Sequence, residues 1–100
     1  MSEVVTRSSG NVFEDLGFGP EEAENLKVRA TLMRSLKRLI DESGMTQATA
    51  AEIFGVTQPR VSDLMRGKIE LFSIDTLVNM LALAGQHVEV SVAPRDDRAA

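Results

Sequence analysis

Apolar residues recur along much of the chain with the spacing of a helix. Between residues 20 and 43, large apolar side chains fall at intervals that place them in one stripe on a helix surface. This stripe consists of Leu32, Met33, Leu36, Leu39 and Ile40. Pro20 suits the first turn of such a helix because proline has no N–H to lose there, and Gly44 suits its end. The pattern predicts one long amphipathic helix.

Three shorter helices are predicted from their capping residues. Threonine and serine are favoured at helix N-caps, where the hydroxyl accepts a bond from the first turn. The predicted caps and helices are Thr46 with 47–54, Thr57 with 58–66, and Ser73 with 74–84. A glycine follows each helix: Gly55, Gly67 and Gly85.

The chain near its C-terminus alternates between apolar and polar residues. Val88, Val90 and Val92 fall on one face, and the intervening positions are polar, which predicts a strand over residues 87–93. A strand must pair its backbone groups with another chain segment. The simplest partner is the same strand of a second copy, which would make a dimer. The alternative is residues 1–12 of the same chain.

These elements predict an all-α fold: a bundle of four to five helices with a short C-terminal β-strand. The predicted parts are a flexible acidic segment (1–19), a helical domain (20–86), the strand (87–93) and a disordered tail (94–100). Within the first part, residues 12–20 place apolar side chains among acids and glycines. That stretch is compatible with a lid on the core or with a docking motif for a partner.

Length and composition are those of one ordinary globular domain. The chain has 100 residues, of which 43% are hydrophobic and 26% charged. No apolar run approaches the roughly 18–20 residues needed to span a membrane. The N-terminal sequence MSEVVTRSSGNVFEDLG lacks the basic and apolar regions of a targeting signal. We therefore expect a cytoplasmic protein with no membrane partner.

The sequence offers little for catalysis or metal binding. It contains no cysteine and one histidine, His87, which lies in the alternating segment without a nucleophile motif beside it. We interpret His87 as a surface residue of the strand. There is also no glycine loop of the kind that cradles phosphates. We expect neither enzyme activity nor a cofactor or metal.

Charge is distributed unevenly. The net charge is −4, yet residues 26–44 carry five basic residues against two acids, and residues 45–68 carry three against two. Residues 1–25 carry six acids and one arginine. A basic middle with acidic ends is compatible with DNA at the centre of the sequence and a basic protein at one end.

Residues 47–66 have the pattern of two helices joined by a tight turn. Such helices can cross closely only if the contact residue is small and the turn accepts a positive φ, which Ala51 and Gly55 provide. The shared core is supplied by Phe54, Val56, Val61 and Leu64. The pattern predicts a helix-turn-helix that binds DNA, with a helical hairpin that has no DNA role as the alternative.

The stretch from Gly44 to Lys68, GMTQATAAEIFGVTQPRVSDLMRGK, resembles the XRE family of phage Cro/C1-type repressors. The resemblance implies a lambda-repressor-like bundle. The chain is also similar to short antitoxins of the HigA type in three segments: VFEDLG, LKVRATLMRSL and VEVSV. That second resemblance implies a protein that neutralises a toxin and represses its own operon.

The XRE resemblance also implies roles for two glutamines. A glutamine that opens the first helix of the pair contacts the DNA backbone, and one that opens the second reads a base; Gln47 and Gln58 hold these positions. The chemistry agrees, because glutamine can donate to N7 and accept from N6 of adenine as a bidentate pair. Helix N-termini point into the major groove in this motif.

Further DNA contacts are predicted around Gln58. Arg60 is a candidate for guanine or a phosphate, and Ser62 for a base or sugar, while Pro59 departs from the small polar residue common at its position. Thr57 is a candidate phosphate contact as well as a cap. Arg66 and Lys68 suit the phosphate backbone.

Taken with the strand, these residues predict a homodimeric repressor of a palindromic operator in double-stranded DNA. The narrower hypothesis is an antitoxin whose acidic N-terminal region binds a basic toxin. The alternatives are an XRE regulator without a toxin, or a protein-interaction module that does not bind DNA.

Overall fold

The computed structural model describes residues 11–95, and over that range the chain consists of helices and connecting turns. There are five α-helices and one 3-10 turn among the described residues. They are α1 (Val12–Asp15), α2 (Pro20–Ser43), α3 (Gln47–Phe54), α4 (Gln58–Met65), the 3-10 turn (Ile69–Leu71) and α5 (Ile74–Leu83). The predicted all-helical class is confirmed. None of these helices combines the length and the apolarity that crossing a bilayer requires.

The chain divides into two compact units. One is Val28–Val88, and the other combines Met1–Lys27 with Glu89–Ala100. Parts of the predicted N-terminal segment and tail, residues 1–10 and 96–100, lie outside the described residues.

The helix ends follow the residues that predicted them. Helix α2 begins at Pro20, and Gly44 follows it with a φ of 71°. The Thr46 hydroxyl accepts a bond from the Thr49 N–H at the start of α3, and Ser73 does the same for Thr76 in α5. Helices α4 and α5 each end one residue earlier than the sequence predicts. Local capping chemistry therefore accounts for most of the helical boundaries.

The core of the larger unit is formed by apolar side chains from α2 to α5. The most completely buried large side chains are Leu36, Phe54, Val61, Leu64, Phe72, Leu77 and Met80. They come from every helix of the unit, as expected for helices that each bury one apolar stripe. Burial of such a side chain contributes about 1.5–3 kcal/mol to stability, so this cluster fixes the places of α3 and α4.

A 3-10 turn between α4 and α5 was not predicted. It is followed by Phe72, which is 1% exposed and therefore anchors the connection in the core. Arg29, on α2, donates from Nη1 to the carbonyl oxygens of Ile69 at 3.2 Å and Phe72 at 3.4 Å. A distant arginine thus ties the turn to α2, adding a second bond at the Ile69 carbonyl, which also accepts from the Phe72 N–H.

In the smaller unit, Asn11 organises the N-terminal segment. Its Oδ1 accepts from the Phe13 N–H at 2.9 Å and caps α1, while its Nδ2 donates to the carbonyl of Ala23 at 3.0 Å. The rings of Phe13 and Phe18 meet edge to face, with centroids 6.2 Å apart. Residues 11–18 therefore have a defined local structure, and Asn11 is a buried polar residue with its bonds satisfied.

The predicted C-terminal strand is absent from the described residues, which carry no regular structure from 86 to 95. The pairing of two such strands in a dimer is likewise not supported. Val88 is half-buried and packs against the core, whereas Val90 and Val92 are 82% and 92% exposed. The three valines therefore do not share one face. Alternating valines predict an extended chain, but a strand exists only where a second backbone pairs with it.

Candidate nucleic-acid interface

Helices α3 and α4 pack together through a tight turn at Gly55. Gly55 has a φ of 70°, and the N–H of Val56 donates to the carbonyl of Ala51 at 3.0 Å. Ala51 is 8% exposed, and on α4 both Val61 and Leu64 are completely buried. The small contact residue, the positive φ and the shared core are those predicted for a helix-turn-helix.

The first turn of α4 is exposed. Thr57, Gln58 and Pro59 are all exposed, and Gln58 is the first residue of the helix. Gln47 is likewise exposed and is the first residue of α3. Both predicted glutamines therefore open their helices with side chains accessible to a ligand.

The remaining predicted DNA contacts lie on α4 and the turn that follows it. Ser62 is half-buried, Arg66 is exposed at the helix end, and Lys68 is half-buried beyond Gly67. The Lys68 N–H donates to the carbonyl of Asp63 at 3.0 Å, which folds the chain back on the end of α4. The two cations thus follow the helix directly and flank its C-terminal end.

Helix α4 begins without a side-chain cap. Thr57 occupies the N-cap position with an extended backbone, but its hydroxyl makes no cap bond, in contrast to Thr46 before α3. Pro59 brings no N–H to the first turn. The exposed Thr57 thus lies beside the positive end of the helix dipole, which favours an anion such as a phosphate.

Arg60 differs from the other predicted contacts, because its guanidinium is engaged within the chain. It is half-buried, its Cζ lies 4.9 Å from the centroid of the Phe72 ring, and its Nη2 donates to the carbonyl of Leu71 at 3.0 Å. Its contact with DNA stays a prediction.

Comparison with known proteins supports this geometry. A model of the helix-turn-helix domain matches residues 12–93. A solved structure described as "Putative XRE Family Transcriptional Regulator" is 32% identical, with a TM-score of 0.68, and the match covers 77% of this chain and 86% of that one. The chain belongs to the XRE family of helix-turn-helix proteins. Among curated proteins, none matches it significantly.

Membership of the XRE family confirms the first of the two resemblances. The family and the fold are those of DNA-binding transcriptional regulators, a class whose members are typically not enzymes. The resemblance to HigA-type antitoxins is not confirmed by these matches.

Sequence reasoning missed two residues that support the connection after α4 in this XRE protein, Arg29 and Phe72. Arg29 is far in sequence from the carbonyl that it binds, and Phe72 is far in sequence from the guanidinium of Arg60 that lies over its ring. Arg29 has no local signature, because a basic residue on an amphipathic helix is usually solvated. Phe72 could have been recognised from the sequence, because it is a large apolar residue between two predicted helices.

The two threonine caps give a matched test. Thr46→Ala should lower the free energy of unfolding by about 1 kcal/mol, because it removes the bond to the Thr49 N–H. Thr57→Ala should change it by less than about 0.5 kcal/mol, because no cap bond is lost. Urea unfolding followed by circular dichroism measures both. Equal losses would contradict the difference between the two caps.

Proposed function

We propose that the protein is a repressor that binds a specific DNA sequence by placing the first turn of α4 in the major groove. The observation that carries this proposal is the exposed Gln58 at the N-terminus of α4, in a helix pair fixed by a buried core. Gln58 presents both a donor and an acceptor, which match the N7 and N6 groups of adenine. We assign the sequence-reading role to this side chain.

The surrounding residues supply contacts with the backbone of the DNA. Thr57 and the open N-terminus of α4 suit one phosphate, and Gln47 at the start of α3 suits another. Arg66 and Lys68 add positive charge at the far end of α4. Pro59 contributes shape at the groove without a donor, and Ser62 adds a hydroxyl on the next turn.

The three glutamines of the chain allow a controlled test. Gln58→Ala should weaken binding to the specific duplex by about 5- to 100-fold and abolish discrimination at one base pair. Gln47→Ala should weaken binding to all duplexes equally, because a backbone contact carries no sequence information. Gln86→Ala, an exposed site outside the helix pair, should change neither property.

Fluorescence anisotropy with duplexes selected by the wild-type protein from a randomised library measures these effects. Each variant is titrated against the selected duplex and its single-base-pair variants at fixed salt, since such affinities depend steeply on salt. Retention of full discrimination by Gln58→Ala would refute the assignment of the reading residue. Failure of the wild type to select any sequence would instead favour a protein-interaction module.

A dimer is the second part of the proposal. The cations of the helix pair and its turn are few, and the whole chain has a net charge of −4, so a single copy should bind DNA weakly. Two copies on a palindromic operator, one helical turn apart, double the contacts. Because Val88 is half-buried against the core, the proposed contact between copies centres on Val90 and Val92.

The narrower hypothesis is that this repressor is also the antitoxin of a toxin–antitoxin pair. Its support is an N-terminal segment rich in acids, in which Val12 and Leu16 are 60% and 70% exposed. An acidic segment with exposed apolar residues suits a basic protein partner. A small basic protein encoded by the neighbouring gene and co-purifying with this chain would support it; absence of such a gene would leave a stand-alone regulator.

A further inference from the structure

Arg60 lies on the helix proposed to enter the DNA, yet it contacts the protein itself. The guanidinium carbon lies over the Phe72 ring, 4.9 Å from its centroid, and the bond to Leu71 uses one of the guanidinium N–H groups. Phe72 is 1% exposed, so its ring is held by the core. The ring therefore fixes the arginine in place.

The bond from Arg60 closes a loop in the chain. Its donor and acceptor are eleven positions apart in sequence, and the intervening residues include the rest of α4, Arg66 and Lys68. Near its start this connection is tied to α4 by the bond from Lys68 to Asp63. At its far end Leu71 is tied to the first turn of α4 by Arg60. Without Arg60, that far end loses its hydrogen bond to α4 and keeps the bonds from Arg29 and the packing of Phe72 in the core.

We infer that Arg60 is a positioning residue for DNA recognition: together with the bond from Lys68 to Asp63, it ties the connection after α4 to that helix at both ends, so that Lys68 stays in a fixed place relative to Gln58. The inference rests on the proposed function. To read guanine, Arg60 would have to direct two N–H groups into the major groove. The positioning role uses the contacts that the side chain already makes.

Removal of the guanidinium tests this role on duplexes selected by the wild type from a randomised library. Arg60→Met keeps much of the apolar stem and should weaken binding about five- to thirtyfold, by the same factor for every single-base-pair variant of the duplex. Base discrimination should stay unchanged because no base contact is lost. Arg60→Lys should give an intermediate loss, since an ammonium can bind the ring face but lacks the planar fork.

A double-mutant cycle with Phe72→Leu tests whether Arg60 acts through the ring. Leucine keeps an apolar side chain in the core but removes the aromatic face. In the Phe72→Leu background, Arg60→Met should therefore weaken DNA binding by less than about twofold. Arg66→Met makes the same chemical change at an exposed arginine and serves as the control. Arg66→Met should weaken DNA binding by the same factor in the wild-type background and in the Phe72→Leu background.

Two results would overturn the positioning role. One is loss of discrimination at a guanine pair in Arg60→Met, which would make Arg60 a direct reader. The other is that the losses of DNA-binding free energy caused by Arg60→Met and by Phe72→Leu simply add in the double variant. Failure of the proposed function is distinguishable, because the wild type would then select no sequence.

Amide hydrogen exchange tests the same inference without DNA. In Arg60→Met, the N–H groups of Lys68 and Leu71 should exchange about tenfold faster, because the connection they belong to has lost one of its two hydrogen-bonded links to α4. The N–H of Leu36 on α2 should be unaffected. Unchanged exchange at Lys68 and Leu71 would refute the positioning role whatever the DNA result.

Discussion

Replacing Gly55 by alanine is expected to lower the free energy of unfolding by about 1–2 kcal/mol, most of it from the backbone, because the side chain that the new methyl group meets is exposed and can move. Two costs add at this position. The backbone has a φ of 70°, where an L side chain costs about 1 kcal/mol or more. A Cβ would also lie 2.7 Å from Cδ1 of Leu83, so the leucine must move. Thermal unfolding should show a loss of about 4–15 °C in a domain of this size.

Gly67 provides the control for that result. Its φ is 73°, but no heavy atom lies within 4 Å of the Cβ position, so Gly67→Ala should cost only the backbone term of about 1 kcal/mol. Adding Leu83→Ala to Gly55→Ala should recover the difference, since Leu83 is 63% exposed and contributes little itself. Equal losses for the two glycines would show that the Leu83 contact carries no energy.

The helices and the turn at Gly55 were predictable because their determinants are local. A threonine or serine before a helix, a glycine after it and an apolar stripe within it are all read from neighbouring positions, as in Thr46, Gly55 and Ser73. The same holds for Gln47 and Gln58 as exposed residues that open their helices. Their exposure follows from which face of each helix is apolar.

The errors arise where a contact is distant in sequence. Arg60 looked like an exposed basic residue one turn into α4, but Phe72 and Leu71 lie close enough to engage it. Thr57 is a separate, local case: it occupies the cap position, but its side chain makes no cap bond. The alternation of Val88, Val90 and Val92 predicted a strand, but periodicity does not supply the second backbone that a strand needs.

The largest expected loss of DNA affinity comes from disrupting the proposed dimer. Replacing Val90 and Val92 together by serine should convert a dimer into a monomer and weaken binding to a palindromic duplex by about 100-fold or more. The reason is that Val90 and Val92 are 82% and 92% exposed in one copy, so their apolar surface is available to a second copy. Sedimentation at micromolar concentration measures the oligomeric state, and anisotropy measures binding.

Val12 and Leu16 serve as the control pair, because they are 60% and 70% exposed on the N-terminal segment. Their replacement by serine should leave both the oligomeric state and DNA affinity unchanged if that segment faces a different partner. A dimer that survives the change at Val90 and Val92 would move the contact to another surface. A wild type that is monomeric and still binds a palindrome tightly would refute the dimer, because Arg66, Lys68 and the open end of α4 would then suffice in one copy.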